Sequence, residues 1–468
     1  MQPIIRTSCL ALALPLAFAV RPLAAQQLPA DSVVRAIIRQ RVDEGRNVGI
    51  AVGLVDADGR MRSVAYGRGA AGAPLDEHSL FEIGSITKTF TAALLADMVA
   101  RGMVRLDQPV ADLLPAGTII PRRGDRQITL LDLATQSSGL PRMPDNFAPK
   151  DAANPYADYD GARLLSFLAR YQLTRDIGAK YEYSNLGVGL LGYALATHSG
   201  VTYGRLITDR ILRPLGLTET AITLRPTLRE HLAPGHDPGG TPVKNWDLDA
   251  LAGAGALRSS VHDMMRYVAA NIDPSSSTLG PALAATHGKR FQTEQPNVSI
   301  GLAWHRLVTP AGDTVLMHNG GTAGYLTFVG FDPRRRIGVV VLSNSAVSVD
   351  DIGVHLLDTR MPLTKTPVAR KEIALPAEAL ERFVGAYPLA PTFTITITRN
   401  GDRLLAQATG QPQFPLFAEA NTKFFLKVVD AQIEFETDST GAVTALVLVQ
   451  NGARQRAPRI APTTGSTR

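Results

Sequence analysis

The sequence is short of cysteine and holds no long apolar run. Cys9 is the single cysteine among 468 residues, and it lies near the start of the chain. With one early cysteine, the chain has no disulfide framework and no thiol chemistry in its body. No later stretch contains eighteen uninterrupted apolar residues, so the sequence predicts no transmembrane helix. We therefore expect a soluble, exported protein held together by its apolar core.

Several common catalytic signatures are also missing. No Gly-x-Ser-x-Gly motif occurs, which argues against an α/β-hydrolase. No His-Glu-x-x-His motif or cysteine cluster occurs, and no P-loop or dinucleotide fingerprint is present. We therefore expect no metal and no cofactor, so the chemistry has to come from side chains alone.

The N-terminal residues are typical of an export signal. Arg6 precedes an apolar run over residues 10–20, and small residues follow up to Ala25. This run is too short to span a bilayer, so we interpret residues 1–25 as a signal peptide. A buried N-terminal helix is the alternative. The expected location is secreted or periplasmic.

The charge of the chain is only mildly basic. The formal net charge is +6, and the densest basic run is Arg334-Arg335-Arg336 in an apparent hairpin turn. A solvated turn explains that run better than a nucleic-acid site. We expect a small-molecule partner, no nucleic acid and no membrane span, with the oligomeric state left open.

Strand patterns open and close the first 345 residues, and helical patterns fill the middle. This order predicts an α/β (α+β) fold: an antiparallel sheet flanked by helices, with an inserted helical lobe. A β-hairpin is predicted at 48–66, with its turn at 56–59, and further strands at 314–318, 326–331 and 337–343. The predicted helices lie at 87–103, 161–170, 186–199, 203–213 and 261–271.

The C-terminal region has a different character. Residues 361–376 carry proline, threonine and lysine without periodicity, which predicts a linker between a domain at 26–360 and a unit at 377–462. In that unit short alternating strands are separated by turns such as Asn400-Gly401. This pattern predicts a small antiparallel β-barrel.

Ser85-Ile86-Thr87-Lys88 is the first chemical motif. Three residues of spacing at a helix start place the lysine amine beside the serine hydroxyl. A serine hydroxyl needs an adjacent base to become a nucleophile, and a lysine serves if burial keeps it neutral. The plainer interpretation is a helix N-cap serine with a surface lysine.

Two further motifs carry suitable groups. Tyr183-Ser184-Asn185 offers a phenol that can relay protons and an amide that can orient a lysine and bind a substrate carbonyl. His318-Asn319-Gly320-Gly321 ends a predicted strand with glycines, where a backbone N–H could stabilise an oxyanion. Ordinary turns are the alternative explanation of both motifs.

Together these motifs resemble the serine β-lactamase and penicillin-binding superfamily. The similarity is to the branch of class C β-lactamases with the related D-alanyl-D-alanine carboxypeptidases and D-aminopeptidases. It covers about residues 30–345, and the C-terminal unit resembles a lipocalin-like domain through Phe383 to Tyr387 (FVGAY). Further matching segments are FEIGS from Phe81, LDLATQSSGLP from Leu131, EYSNLGVGLL from Glu182, AGAGALRSS from Ala252 and HNGGTAGY from His318.

The resemblance implies catalytic and substrate-binding roles. It makes Ser85 the acylated nucleophile and assigns proton transfer to Lys88 and Tyr183, leaving open which takes the first proton. Asn185 would hold Lys88 and the substrate amide, and the N–H groups of Ser85 and Gly321 would bind the oxyanion. Gly320 and His318 complete the substrate-binding set.

One position departs from the β-lactamase pattern. His318 stands where β-lactamases carry the lysine that pairs with a substrate carboxylate, and histidine is mostly neutral above about pH 6.5. Related carboxypeptidases and aminopeptidases also use histidine. The expected function is therefore a serine hydrolase acting on a peptide, D-amino acid amide or β-lactam. The alternatives are an esterase on small acyl esters and a penicillin-binding sensor without turnover.

A long irregular segment completes the candidate site. Residues 137–161 are rich in Pro, Asp, Asn and Tyr without periodicity, as in lids and binding loops. Tyr156 and Tyr159 are candidates for lining the site, and exposed loop tyrosines are the alternative.

Overall fold

The structure is a computed structural model that describes most of the chain. The described residues are 27–310, 312–364, 370, 372–390, 393–409, 413–426, 431–450 and 453–460. The predicted signal peptide, with Cys9, lies outside them, as do several residues of the predicted linker. No helix within the described ranges is long and apolar enough to cross a membrane.

The strands of the N-terminal region form one large sheet and two small ribbons. In chain order they are β1 (Gly49–Val55), β2 (Met61–Gly67), β3 (Leu80–Glu82), β4 (Arg122–Arg123), β5 (Arg126–Gln127), β6 (Arg258–Ser260), β7 (Phe291–Gln292), β8 (Val298–Ile300), β9 (His305–Val308), β10 (Thr314–Gly321), β11 (Leu326–Asp332) and β12 (Ile337–Ser343).

Twelve α-helices surround and extend these strands. They are α1 (Asp31–Asp43), α2 (Thr87–Ala100), α3 (Leu130–Ala134), α4 (Gly161–Arg170), α5 (Asn185–His198), α6 (Tyr203–Ile207), α7 (Pro226–Arg229), α8 (Ala252–Gly255), α9 (Val261–Ile272), α10 (Gly280–Ala285), α11 (Asp350–Leu357) and, in the C-terminal region, α12 (Ala377–Leu380), counted over the described residues.

The large sheet is antiparallel and covered on both faces. Its order is β2-β1-β12-β11-β10-β9-β8-β7, so β1, the first strand of the region, pairs directly with β12, the last. All residues of β1 and β12 are buried, because α9 packs on one face while α1 and α11 cover the other. Burial on both faces explains why these strands read as continuous apolar runs. The predicted α/β architecture is confirmed.

The helical lobe is inserted between β3 and β6. Within it, α2 is buried over all but its last two residues, and α5 packs against α8 beside it. The side chain of Ser184 accepts a hydrogen bond from the Gly187 N–H, which starts α5 directly after Tyr183. The side chain of Ser260 caps α9 in the same way, by accepting a hydrogen bond from the Asp263 N–H. The predicted helix at 203–213 is α6 followed by a π-helical turn at Thr208–Leu212.

The C-terminal unit is a nearly closed eight-stranded antiparallel barrel. A bridge between Ala386 and Ile460 joins its first and last strands. Phe383, Phe424 and Phe435 pack together inside it. The strands are β13 (Gly385–Ala390), β14 (Phe393–Asn400), β15 (Arg403–Ala408), β16 (Gln413–Ala420), β17 (Lys423–Phe425), β18 (Ala431–Thr437), β19 (Val443–Gln450) and β20 (Ala453–Pro458).

Candidate active site

Ser85 stands at the junction between β3 and α2. It occupies the middle of a single 3-10 turn, Gly84–Ile86, that leads directly into α2. Its immediate neighbours Gly84 and Ile86 are buried, whereas Ser85 is partly exposed. The turn therefore presents one hydroxyl to a cleft while the surrounding chain anchors it in the core.

Lys88 lies one helical turn further on, fully buried beside Ser85. Its Nζ is 2.9 Å from Ser85 Oγ, 2.9 Å from Asn185 Oδ1 and 2.7 Å from the carbonyl oxygen of Ala254. These contacts bring three separate segments of the chain together at one nitrogen. The surface-lysine alternative is excluded, because the side chain has no solvent exposure.

The environment of Lys88 favours its neutral form. Burial, and secondarily the positive charge of Arg142, hold the pKa of the Lys88 amine well below its ordinary value. A neutral amine has two N–H donors and one lone pair. Asn185 Oδ1 and the Ala254 carbonyl oxygen are both hydrogen-bond acceptors, so they occupy the two N–H groups of the amine. The lone pair of the amine is then left to accept the hydroxyl proton of Ser85.

Tyr183 and Asn185 flank this pair from the start of α5. The Tyr183 ring centre is 4.9 Å from Lys88 Nζ. Burial raises the pKa of Tyr183 to about 12, although Ser85 and Arg142 oppose this rise. Tyr183 is therefore a proton donor at neutral pH. Asn185 Oδ1 accepts a hydrogen bond from Lys88, and Asn185 Nδ2 lies 3.8 Å from Met143 Sδ.

The end of β10 approaches the Ser85 turn very closely. A Cβ atom added to Gly84 would lie 2.6 Å from the Gly321 nitrogen, and one added to Gly320 would lie 2.0 Å from the Ile83 carbonyl oxygen. Only glycine permits such backbone proximity, which gives a physical reason for glycine at positions 84 and 320. The close approach brings the Gly321 backbone beside the Ser85 turn, which is the arrangement that the oxyanion hole expected from the sequence would need.

His318 lies deeper than its sequence position suggests. Its ring is buried, 5.2 Å from the His305 ring and 6.3 Å from the Tyr183 ring. Burial lowers the pKa of His318 well below its ordinary value, and the neighbouring His305 and Lys88 act in the same direction. The histidine therefore stays neutral across the physiological range, and the expected titration near pH 6.5 does not apply.

A small pocket opens beside Ser85. Its cavity volume is about 30 Å³, and the side chains of Tyr156 and Trp246 form an aromatic wall with ring centres 5.1 Å apart. Glu82 holds Trp246 in place by accepting its backbone N–H at 2.8 Å. The pocket residues are Gly84, Ser85, Tyr156, Asn185, Trp246, Leu248, Ala254, Gly255, Gly321 and Thr322.

The irregular loop supplies part of this pocket. No helix or strand occurs between α3 and α4, and Tyr156 from that loop lines the pocket. Tyr159 does not line it; its buried ring packs on Phe147 and its hydroxyl donates to Asn146 Oδ1.

Sequence reasoning assigned no role to Trp246, Ala254 or Arg142. For Ala254 the signal was the AGAGALRSS segment, which was recognised without a function being attached to it. Arg142 directly follows the LDLATQSSGLP segment in the same way. Trp246 has no comparable local signal.

Away from the Ser85 pocket, three side chains of types that can bind a metal ion lie close together. The ligand atoms of Glu77, His78 and His262 lie within 4.8 Å of one another, at the start of α9. His78 Nδ1 is already 2.8 Å from Glu219 Oε1. None of these residues is among those that line the Ser85 pocket, so the cluster has no part in the chemistry considered at Ser85.

Comparison with known proteins decides the family. A family profile described as Beta-lactamase matches residues 34–357, and a second, described as a domain of unknown function (DUF3471), matches residues 369–458. The chain belongs to the beta-lactamase family. It is accordingly a serine hydrolase of the serine β-lactamase and penicillin-binding superfamily.

Relatives of this beta-lactamase-family protein are named for different activities. A beta-lactamase of Pseudomonas fluorescens is 28% identical, with 67% of this chain and 92% of the relative covered. Penicillin-binding protein 4* of Bacillus subtilis is 25% identical, with 82% of this chain and 89% of the relative covered. The D-alanyl-D-alanine-carboxypeptidase/endopeptidase AmpH of Escherichia coli is 27% identical over 63% and 78%.

A solved structure supports the fold. A class C beta-lactamase superposes with a TM-score of 0.61 and 24% sequence identity, with 70% of this chain and 94% of that chain covered. At this identity the likeness concerns the fold alone.

Proposed function

We propose that this beta-lactamase-family hydrolase acts through an acyl-enzyme on Ser85. The observation that carries the proposal is the placement of the buried Lys88 Nζ 2.9 Å from Ser85 Oγ, held by Asn185 Oδ1 and the Ala254 carbonyl. An amine fixed in this way can accept the hydroxyl proton without first breaking a bond to solvent.

In the proposed acylation step, Lys88 acts as the base and Tyr183 as the acid, because burial lowers the pKa of Lys88 and raises that of Tyr183. Lys88, whose pKa is lowered, takes the Ser85 proton as Oγ attacks the substrate carbonyl carbon. The developing oxyanion receives hydrogen bonds from the backbone N–H groups of Ser85 and Gly321. Tyr183 then donates its proton to the leaving group, and the Lys88 ammonium returns a proton to Tyr183. The acyl group stays on Ser85 Oγ.

Deacylation reverses the proton path. Water enters where the leaving group departed, and Tyr183 together with Lys88 removes its proton as it attacks the acyl carbon. The oxyanion again forms between the N–H groups of Ser85 and Gly321. Collapse of this intermediate returns the proton to Ser85 Oγ and frees the carboxylic acid product.

The proposed substrate is a peptide, D-amino acid amide or β-lactam with a small acyl group next to the scissile carbonyl. The aromatic wall of Tyr156 and Trp246 and the small cavity volume support a small acyl side chain. Asn185 Nδ2 can donate to the amide carbonyl on the acyl side. Export to the periplasm or medium is part of the proposal and rests on residues 1–25.

The test is covalent labelling together with turnover. The mature protein is incubated with a labelled penicillin or fluorophosphonate, digested and mapped by mass spectrometry, with the expected label on Ser85. In parallel, a chromogenic cephalosporin, a D-alanyl dipeptide, a D-amino acid amide and a nitrophenyl ester are assayed. Ser85→Ala is expected to abolish labelling and all hydrolysis while keeping the fold, because a lost hydroxyl there leaves no nucleophile.

Two outcomes would contradict the proposal. One is a label on a residue other than Ser85, and the other is turnover by Ser85→Ala above about one hundredth of the wild-type rate. Ser137→Ala is the matched control, since this buried serine bonds to Thr135 and lines no part of the pocket.

A further inference from the structure

Glu77, His78 and His262 together form what we call the His78 cluster, which lies outside the Ser85 pocket. Their ligand atoms are within 4.8 Å of one another. Two ligand atoms that each lie about 2.0–2.2 Å from one zinc ion are at most about 4.4 Å apart. All three side chains are partly exposed and free to adjust. A shift of about half an ångström therefore brings the three ligand atoms to one ion.

The backbone holds the two segments of the cluster together. The N–H of His262, at the start of α9, donates to the carbonyl oxygen of Glu77 at 3.0 Å. A few residues further on, Leu80 of β3 pairs with Ser260 of β6. The segments that carry the three side chains are therefore fixed before any ion arrives, which reduces the ordering that metal binding requires.

Two of the side chains already have the outer contacts of metal ligands. His78 Nδ1 lies 2.8 Å from Glu219 Oε1, and because a carboxylate only accepts, Nδ1 carries the ring proton. In the neutral ring the free lone pair is then on Nε2, which lies 3.5 Å from Glu77 Oε1. Ser63 Oγ donates to Glu77 Oε2 at 2.8 Å and leaves Oε1 for an ion. A carboxylate on the far nitrogen of a histidine is the usual setting of a zinc ligand.

The carboxylates around the cluster lack a basic partner. In the described part of the chain, the only ion pairs of Glu77 and Glu219 are with His78. Asp263, fully buried directly after His262, adds a third carboxyl group, and its Oδ1 makes no hydrogen bond to a described residue. A bound divalent cation would offset this negative charge, as carboxylates removed from water generally require.

We propose that Glu77 Oε1, His78 Nε2 and a ring nitrogen of His262 bind one zinc ion, or a similar divalent transition-metal ion, with water completing the coordination. Two imidazole nitrogens and one carboxylate suit such an ion better than magnesium or calcium, which prefer sites made of oxygen. The ion joins the segment that enters β3 to the start of α9. Local sequence motifs do not reveal this site, because its ligands come from two distant segments.

The test uses the mature protein without a histidine tag, stripped of metal by a chelator and titrated with zinc chloride in a calorimeter. Wild type is expected to bind one zinc ion per chain at this site. His78→Ala and His262→Ala should each abolish that binding, and Glu219→Gln should weaken it by about 10- to 100-fold. Zinc at about 100 times Kd should raise the melting temperature of wild type by about 3–4 °C, because the ion binds only the folded chain.

His231→Ala is the matched control, because His231 is exposed and lies outside the cluster, so this variant should bind zinc as wild type does. Absence of zinc binding by wild type would overturn the inference and leave an ion-pair network bridged by His78. Wild-type affinity in His78→Ala and His262→Ala would overturn it equally. If circular dichroism shows that an alanine variant is unfolded, Glu219→Gln decides, and an unchanged affinity there counts against the site. Fluorophosphonate labelling of Ser85 reports on the proposed function independently.

Discussion

Gly84→Ala is the sharpest test of the proposed oxyanion hole. Gly84 has a φ of +49° and packs against the backbone of Gly321. The Cβ atom of an alanine at position 84 would lie 2.6 Å from the Gly321 nitrogen and 2.9 Å from the Gly321 oxygen. Both contacts are to backbone atoms, so no flexible side chain can move aside. The strand end that carries Gly321 has to retreat.

The size of the effect follows from these distances. Ordinary van der Waals contact begins at 3.4 Å. The Gly321 nitrogen must therefore move away by about 0.8 Å, which takes an N–H donor out of the 2.7–3.1 Å range that stabilises an oxyanion. Loss of one such donor costs about 100- to 1,000-fold in kcat. The positive φ adds about 1–2 kcal/mol of destabilisation.

The assay combines kcat/KM on the best substrate of the panel with a thermal melt. Gly102→Ala is the control, because Gly102 also has a positive φ, of +69°, but nothing lies within 4 Å of its added Cβ. Both variants should lose stability through backbone strain, Gly84→Ala by more because its Cβ also displaces the Gly321 backbone, and only Gly84→Ala should lose activity. A folded Gly84→Ala variant with activity within tenfold of wild type would refute the reasoning.

Two further predictions follow from the buried polar groups. Lys88→Ala and Tyr183→Phe should each lower the acylation rate by about 100-fold or more, with a combined loss far smaller than the product, because both act on one proton path; stopped-flow acylation rates that multiply in the double variant would contradict this. Burial lowers the pKa of His287 to about 4 from an ordinary value near 6.5, so its protonation favours unfolding. The free energy of unfolding should then fall as the pH drops from 6.5 through 4, by on the order of 2 kcal/mol from this residue after allowance for its partial exposure. Urea unfolding of His287→Gln across this range should show a shallower fall, and an identical slope would count against the assignment.

Local patterns were sufficient for the elements and for part of the site. Lys88 follows Ser85 by three positions, which is nearly one helical turn, so their proximity follows from backbone geometry alone. The caps of α5 and α9 and the alternation of the barrel strands are likewise short-range features. Tyr183, Asn185 and Gly321 were also predicted as site residues. That prediction came from the resemblance to a known family, because no local rule places them beside Ser85.

The remaining features depend on contacts between distant parts of the chain. Whether Lys88 is a base is decided by its burial and by the acceptors Asn185 and Ala254, which lie 97 and 166 residues away. The protonation of His318 depends in the same way on packing and on the neighbouring His305.

The sequence by itself thus determined which residue types could do the chemistry, and the tertiary structure decided which of them are placed to do it. The charge state of His318 is the clearest example. Motif reasoning pointed to a histidine that titrates near pH 6.5, whereas the packed structure buries that ring and keeps it neutral. The physical reason is that solvation and hydrogen-bond partners set the charge of a group, and both arise only when the chain has folded.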